Sequence, residues 1–149
     1  MGRMLAIVLL ALLSLDAPAS PDAAARGRAL AQEADTRDSG WRDQRARLEM
    51  TLRNRHGDES RRALEVSTLE IAGDGDRSLT VFKSPRDIAG TAFLSYTHAL
   101  EPDDQWLFLP ALKRVKRIAS ANKSGPFVGS EFAYEDLSSS ELPKYEYRW

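Results

Sequence analysis

The chain has 149 residues, 42% of them hydrophobic and 29% charged, which is enough apolar content for the core of one domain and too much for a disordered polymer. Its 21 Lys and Arg against 22 Asp and Glu leave a net charge of -1, without the basic excess of a nucleic-acid binder. The absence of Cys excludes disulfides, thiolate metal sites, cysteine nucleophiles and a lipid-anchored N-terminal cysteine, and 2 His leave little for imidazole-based metal or acid/base chemistry.

The first element in chain order reads as an export signal. Arg3 precedes the apolar run Met4–Leu15, which is too short for an ordinary membrane span. Small residues suited to cleavage follow at Ala17-Pro18-Ala19, with a second candidate at Ala23-Ala24-Ala25. The expected division is a signal peptide over 1–19 and one exported domain over 20–149. Ser20-Pro21-Asp22 has the order of a helix start: a capping hydroxyl, Pro in the first turn and an acid at the positive end of the dipole. The helix runs to Asp38 and is closed by Ser39-Gly40. Leu30 is its only large apolar side chain, so it is expected to cover an edge or end rather than to build a core.

From Arg45 the apolar period becomes two. Ala46, Leu48, Met50 and Leu52 share one face of a first strand, and Arg45, Arg47, Glu49, Thr51 and Arg53 share the other. His56-Gly57-Asp58 reads as a hairpin turn into a second strand, Arg61–Ile71, in which Leu64 and Val66 are in phase. The phase slips at Leu69 and Ile71, which predicts a bulge or bend there. Gly73-Asp74-Gly75-Asp76 is a tight turn that lacks the further oxygen ligands of a calcium loop. It leads to a third strand, Arg77–Lys83, stopped by Ser84-Pro85. Thr91–Tyr96, Gln105–Leu109 and Leu112–Ile118 follow, and Tyr145–Trp149 has the composition of a further strand. One helix followed by consecutive strands on short turns predicts an α+β fold, an antiparallel meander with the N-terminal helix packed on it.

Two features stand apart from this pattern. Trp106–Leu109 is apolar on both faces, and Phe93, Leu94 and Tyr96 nearly so; such strands are covered on both sides or line a pocket, and ordinary core is the commoner case. Lys113, Arg114, Lys116, Arg117 and Lys123 lie in a stretch with no acid from Gln105 to Ser130. That pattern suits an edge strand protected against aggregation, or a site for phosphate head groups, an anionic membrane surface or an acidic partner. Ser124 and Ser130 do not sit in a nucleophile elbow, and no Ser/His/Asp arrangement accompanies the two histidines. Glu131, Glu135 and Asp136 lack the opposed placement of a glycosidase pair. No catalytic residue, metal, cofactor or enzyme activity is expected.

Three blocks in order, Phe82–Leu94 (FKSPRDIAGTAFL), Asp104–Ile118 (DQWLFLPALKRVKRI) and Lys123–Leu137 (KSGPFVGSEFAYEDL), resemble the LolA-like outer-membrane lipoprotein-sorting protein family. The resemblance implies a periplasmic protein of Gram-negative bacteria whose curved antiparallel sheet forms an unclosed half-barrel around a hydrophobic cavity. It implies a non-enzymatic carrier of lipoprotein acyl chains or another lipid toward the outer membrane. Family members usually continue for roughly another hundred residues, so the C-terminal part of the barrel is expected to be missing here. On this reading Leu48, Met50, Leu52, Leu64, Val66, Leu79, Val81, Phe93, Leu94, Trp106 and Phe108 are cavity or core, and Lys113, Arg114, Lys116 and Arg117 meet head groups or a partner at the rim. The implied partners are lipid acyl chains or a lipoprotein, an inner-membrane exporter and, transiently, the membrane surface, with no nucleic acid. The alternative function is a periplasmic adaptor of an RND-type inner-membrane exporter that binds no lipid.

Overall fold

The computed structural model describes residues 21–119, 122–138 and 141–149. The signal segment over 1–19 and the Ser20 cap lie outside the described residues, and the second cleavage candidate, Ala23-Ala24-Ala25, lies inside the first helix. That helix, α1, spans Pro21–Arg37. Six strands follow: β1 (Asp43–Arg53), β2 (Glu59–Leu69), β3 (Arg77–Ser84), β4 (Ala92–Tyr96), β5 (Asp104–Leu109) and β6 (Arg114–Ile118). They form one sheet in sequence order, every neighbouring pair antiparallel, with β1 and β6 as open edges. The fold is the expected α+β unclosed sheet.

The connections carry their own chemistry. At the β1–β2 turn the Asn54 side-chain oxygen accepts the N–H groups of His56 (2.8 Å) and Asp58 (3.0 Å), while Gly57 takes a φ of 89° that a side chain disfavours. At the β2–β3 turn Gly75 is buried against Thr97, and a Cβ there would lie 2.4 Å from the Thr97 carbonyl carbon. The expected bend at Leu69 and Ile71 is not where the sheet is irregular. The register shift falls between Ala63 and Leu64, where β2 meets β3, and Ile71 lies beyond the end of β2. The lost phase marks the end of the strand.

Alternation divides the sheet into two faces with different fates. On the inner face Leu64, Phe82, Phe93, Leu107 and Ile118 are buried. The segment 122–138, which has no strand beyond a single bridge between Pro126 and Ala133, lies against this face. It inserts the fully buried Phe127, whose ring lies 5.7 Å from Phe82 and 5.4 Å from Phe93, and Tyr134 packs edge-on against Phe127 at 5.5 Å. Arg62 of β2 donates to the Val128 carbonyl at 2.6 Å, and Lys123 and Lys144 both reach the Asp103 carboxylate, pinning the segment to the β4–β5 turn.

The outer face carries Leu79, Val81, Leu94, Tyr96, Trp106, Phe108 and Val115, all half-buried or exposed, and it contributes nothing to the buried core. The two-sided apolar pattern of β5 therefore belongs to a strand with one covered face. The further strand expected at Tyr145–Trp149 does not form. This tail lies along α1, where the Trp149 N–H donates to the Ala23 carbonyl at 3.0 Å and the Arg26 guanidinium sits 4.7 Å above the Trp149 ring. Gly27 is buried at the crossing, and a Cβ would lie 2.8 Å from the Arg148 backbone. The helix covers the tail, as its narrow apolar face suggests, and Leu30 remains exposed.

Candidate functional site

A cleft of about 1360 Å³ lies on the inner face, at the end of the sheet where β2 finishes and β3 begins. Gln44, Val66, Thr68 and Ser78 form its floor, and the turn Glu70–Asp76 forms one wall. The opposite side comes from the C-terminal end of α1, the link Asp38–Arg42, Leu137 and the residues Glu141, Leu142 and Pro143. Trp41, Val66, Leu69, Ile71, Leu137 and Leu142 give the lining its apolar part.

The charged lining is acidic. Glu70 accepts the N–H groups of Gly40 (2.6 Å) and Arg42 (2.7 Å), and these two bonds lower its pKa while tying the link to the turn. The Ala99 N–H at 2.8 Å, then His98 at 3.0 Å and the Gly75 N–H, hold the Asp74 carboxyl down at about 2. Asp76 moves the other way. Burial raises its pKa, and the charges of Glu141, Glu70 and Asp38 add to the rise against one bond from the Ile71 N–H. Asp35 and Asp38 complete the rim, with Arg42 as the cation among the lining residues. A lining that mixes apolar side chains with carboxylates can accept an amphiphile. Among the described residues no cluster of three or more His, Cys, Asp or Glu could hold a metal.

A domain described as an outer membrane lipoprotein-sorting protein, from Vibrio parahaemolyticus, has 58% sequence identity to this chain with a TM-score of 0.80 over 83% of the chain and 52% of its own length. A family model described only as an uncharacterized protein matches residues 74–149, just over half of the chain. The chain belongs to the LolA-like outer-membrane lipoprotein-sorting protein family. A DUF1329 family protein from Desulfovibrio piger ATCC 29098 is also similar, with 28% identity and a TM-score of 0.77 over 85% of this chain and 54% of its own length. The chain thus spans about half the length of these two solved structures. No curated protein matches it.

In this LolA-like sheet the apolar residues singled out from the sequence fall on opposite faces. Leu48, Met50, Leu52, Leu64, Val66 and Phe93 are on the inner face. Of these, Leu64 and Phe93 are core, Met50 packs against the core, Leu48 is exposed and Val66 lines the cleft. Leu79, Val81, Leu94, Trp106 and Phe108 are on the outer face, away from the cleft. Adjacent strand residues such as Phe93 and Leu94 point to opposite sides, so one cavity cannot take both. The basic residues do not border the cleft. Arg117 pairs with Asp104, whereas Lys113, Arg114 and Lys116 have no carboxylate partner among the described residues. Sequence reasoning missed Trp41, Leu137 and Leu142 in the cleft and Phe127 in the core, all in non-repetitive segments where no period exists. An isolated aromatic between Gly40 and the first strand was the available signal for Trp41.

Proposed function

We propose that this protein is a non-enzymatic periplasmic carrier that takes the apolar part of a lipoprotein or another lipid into the inner-face cleft and moves it toward the outer membrane. The observation that carries this reading is the cleft itself, larger than the roughly 300–1,000 Å³ typical of small-molecule sites and with Trp41, Val66, Leu69, Ile71, Leu137 and Leu142 in its lining. Each methylene withdrawn from water contributes about 0.8 kcal/mol, so the hold on a chain grows with the length inserted. Likeness to a lipoprotein-sorting domain and the export signal expected over residues 1–19 support the compartment. The same likeness supports carriage over catalysis.

Native mass spectrometry of protein recovered from periplasm tests the reading. The expected spectrum shows one removable lipid per chain. Val66→Asp and Leu142→Asp, both lining the cleft, lose that mass while keeping the wild-type circular dichroism spectrum, and Leu94→Asp on the outer face keeps it. A folded wild-type protein that carries no lipid and takes up none from detergent-dispersed phospholipid defeats the carrier reading. Crosslinking to an inner-membrane exporter would then establish the adaptor role.

A further inference from the structure

The lining of the cleft is unbalanced in charge. Asp35, Asp38, Glu70, Asp74, Asp76 and Glu141 supply six carboxylates, and Arg42 is the one Lys or Arg among the described lining residues. On the outer face and at the β4–β5 turn the chain answers its acids: Glu49, Glu59, Glu65, Asp103 and Asp104 each lie within ion-pair distance of a Lys or Arg. Asp35, Asp38, Glu70, Asp74 and Asp76 have no Lys or Arg ion pair among the described residues. Glu70, Asp74 and Asp76 are held instead by backbone N–H groups and, at Asp74, by His98. Burial first, and then repulsion from Glu141, Glu70 and Asp38, pushes Asp76 up, as expected where cations are scarce.

The floor shows the same shortage in its hydrogen bonds. Gln44, Thr68, Ser78, Ser95 and Gln105 are paired in register as one polar row across the inner face of β1–β5, and the first, second and third of them line the cleft. At the buried end of that row the Gln105 Nε2 group donates to the Ser138 hydroxyl at 2.9 Å, while its Oε1 has no donor among the described residues. The Trp41 Nε1–H is already engaged by the Asp38 carbonyl at 3.1 Å, and the Thr97 hydroxyl bonds the Asp76 carbonyl at 3.1 Å. The site is rich in acceptors and poor in donors. A phosphate or carboxylate head would add acceptors and negative charge, whereas an ammonium head brings three N–H donors and a positive charge. An apolar path leads away from the same place: Val66 in the lining is paired with Ala46, and Leu48, next on that face of β1, is 51% exposed. We propose that the cleft selects amphiphiles with a cationic ammonium head, the head lying among Asp35, Asp38 and Asp76 and the alkyl chain running over Val66 toward Ala46 and Leu48. The inference rests on the carrier reading and names the head-group class of its cargo.

The test is isothermal titration calorimetry of the protein at neutral pH with decylammonium, decanol and decanoate, which share one alkyl chain and differ in the charge of the head. Decylammonium is expected to bind about tenfold or more tightly than decanol, with decanoate weakest, and the preference should shrink at high salt. Asp35→Asn/Asp38→Asn/Asp76→Asn should weaken decylammonium by about tenfold or more and leave decanol within about twofold. Asp87→Asn/Glu101→Gln/Glu131→Gln removes the same charge from exposed positions outside the cleft and should keep the preference. Decanol or decanoate binding as tightly as decylammonium would overturn the proposal and leave the carrier reading standing, because uptake of the chain would still be seen. A preference that survives in the cleft variant, or is lost equally in the exposed one, overturns it too, since net charge rather than the cleft would then be the cause. No binding of any of the three overturns both readings. If the triple cleft variant loses the wild-type circular dichroism spectrum, Asp38→Asn alone makes the comparison, with an expected loss of about threefold for decylammonium only.

Discussion

Replacing Phe127 by Ala probes whether segment 122–138 is part of the core or a loop resting on it. Phe127 is fully buried and touches three aromatic rings, those of Phe82, Phe93 and Tyr134, at centroid distances of 5.7, 5.4 and 5.5 Å. Burying such a side chain contributes about 1.5–3 kcal/mol by transfer, and the cavity left behind brings typical Phe→Ala losses to about 3–5 kcal/mol. Each of the three ring pairings is worth about 0.5–1.5 kcal/mol and vanishes with the side chain, so the expected cost is about 4 kcal/mol, a large share of the roughly 5–15 kcal/mol of a whole domain. Urea titration followed by circular dichroism measures it as a lower midpoint at unchanged slope. Phe108→Ala is the matched control. Its ring is 37% exposed on the outer face, and its loss should cost about 1 kcal/mol or less. Equal costs for the two variants, or a Phe127 cost below about 1.5 kcal/mol, would refute the assignment of Phe127 to the core and with it the division of the sheet into covered and open faces.

Gly75→Ala should lower stability by about 2 kcal/mol in the same titration, because the new methyl meets the Thr97 backbone, which cannot swing aside as a side-chain tip would. Burial pushes the Asp103 carboxyl up, but bonds from Lys144, Lys123 and the His98 N–H outweigh it and lower its pKa. Asp103→Asn should therefore cost about 2 kcal/mol, reduced from the value for a fully buried pair because Lys144 stays partly in water, and should speed hydrogen exchange around Lys123 and Lys144. Asp74, held at about 2 against an ordinary 3.8, favours the fold above pH ~4 and loses that contribution as the pH falls toward ~2. Asp74→Asn is accordingly less stable than wild type at pH ~7, and the gap closes in acid. Asp76 has the opposite sign: its raised pKa means stability falls as the pH rises through the carboxylate range, so Asp76→Asn should exceed wild type near neutrality and converge with it in acid.

The strands were readable because a period of two persists wherever one face is covered. Leu48, Met50 and Leu52 announced β1, and its observed start at Asp43 lies within two residues of the expected Arg45. The same alternation states that Phe93 and Leu94 face opposite ways, but not which way is inside. That choice is made by Phe127, more than thirty positions away in sequence, and no local pattern reports it. The cleft was illegible for a related reason: Trp41, Ile71 and Leu142 come from three aperiodic stretches that meet only after the sheet exists. At the tail, Tyr145, Tyr147 and Trp149 have strand composition, yet the chain runs along α1 instead, showing that β-propensity is a statement about available neighbours.

Every strand in this sheet pairs with the strand next to it in sequence, so the ladder can assemble one hairpin at a time with small loops to close. The bond from Trp149 to Ala23 is of another kind, since it joins the two ends of the described residues across a loop that takes in nearly all of them. Loop-closure entropy rises by about 0.6 kcal/mol per doubling of length, which places this clasp last in the order of formation and first in the order of release. Release would not break a single rung of the ladder. It would, however, loosen Asp35 and Asp38 on one side and Leu142 and Pro143 on the other, so opening the clasp widens the rim of the cleft.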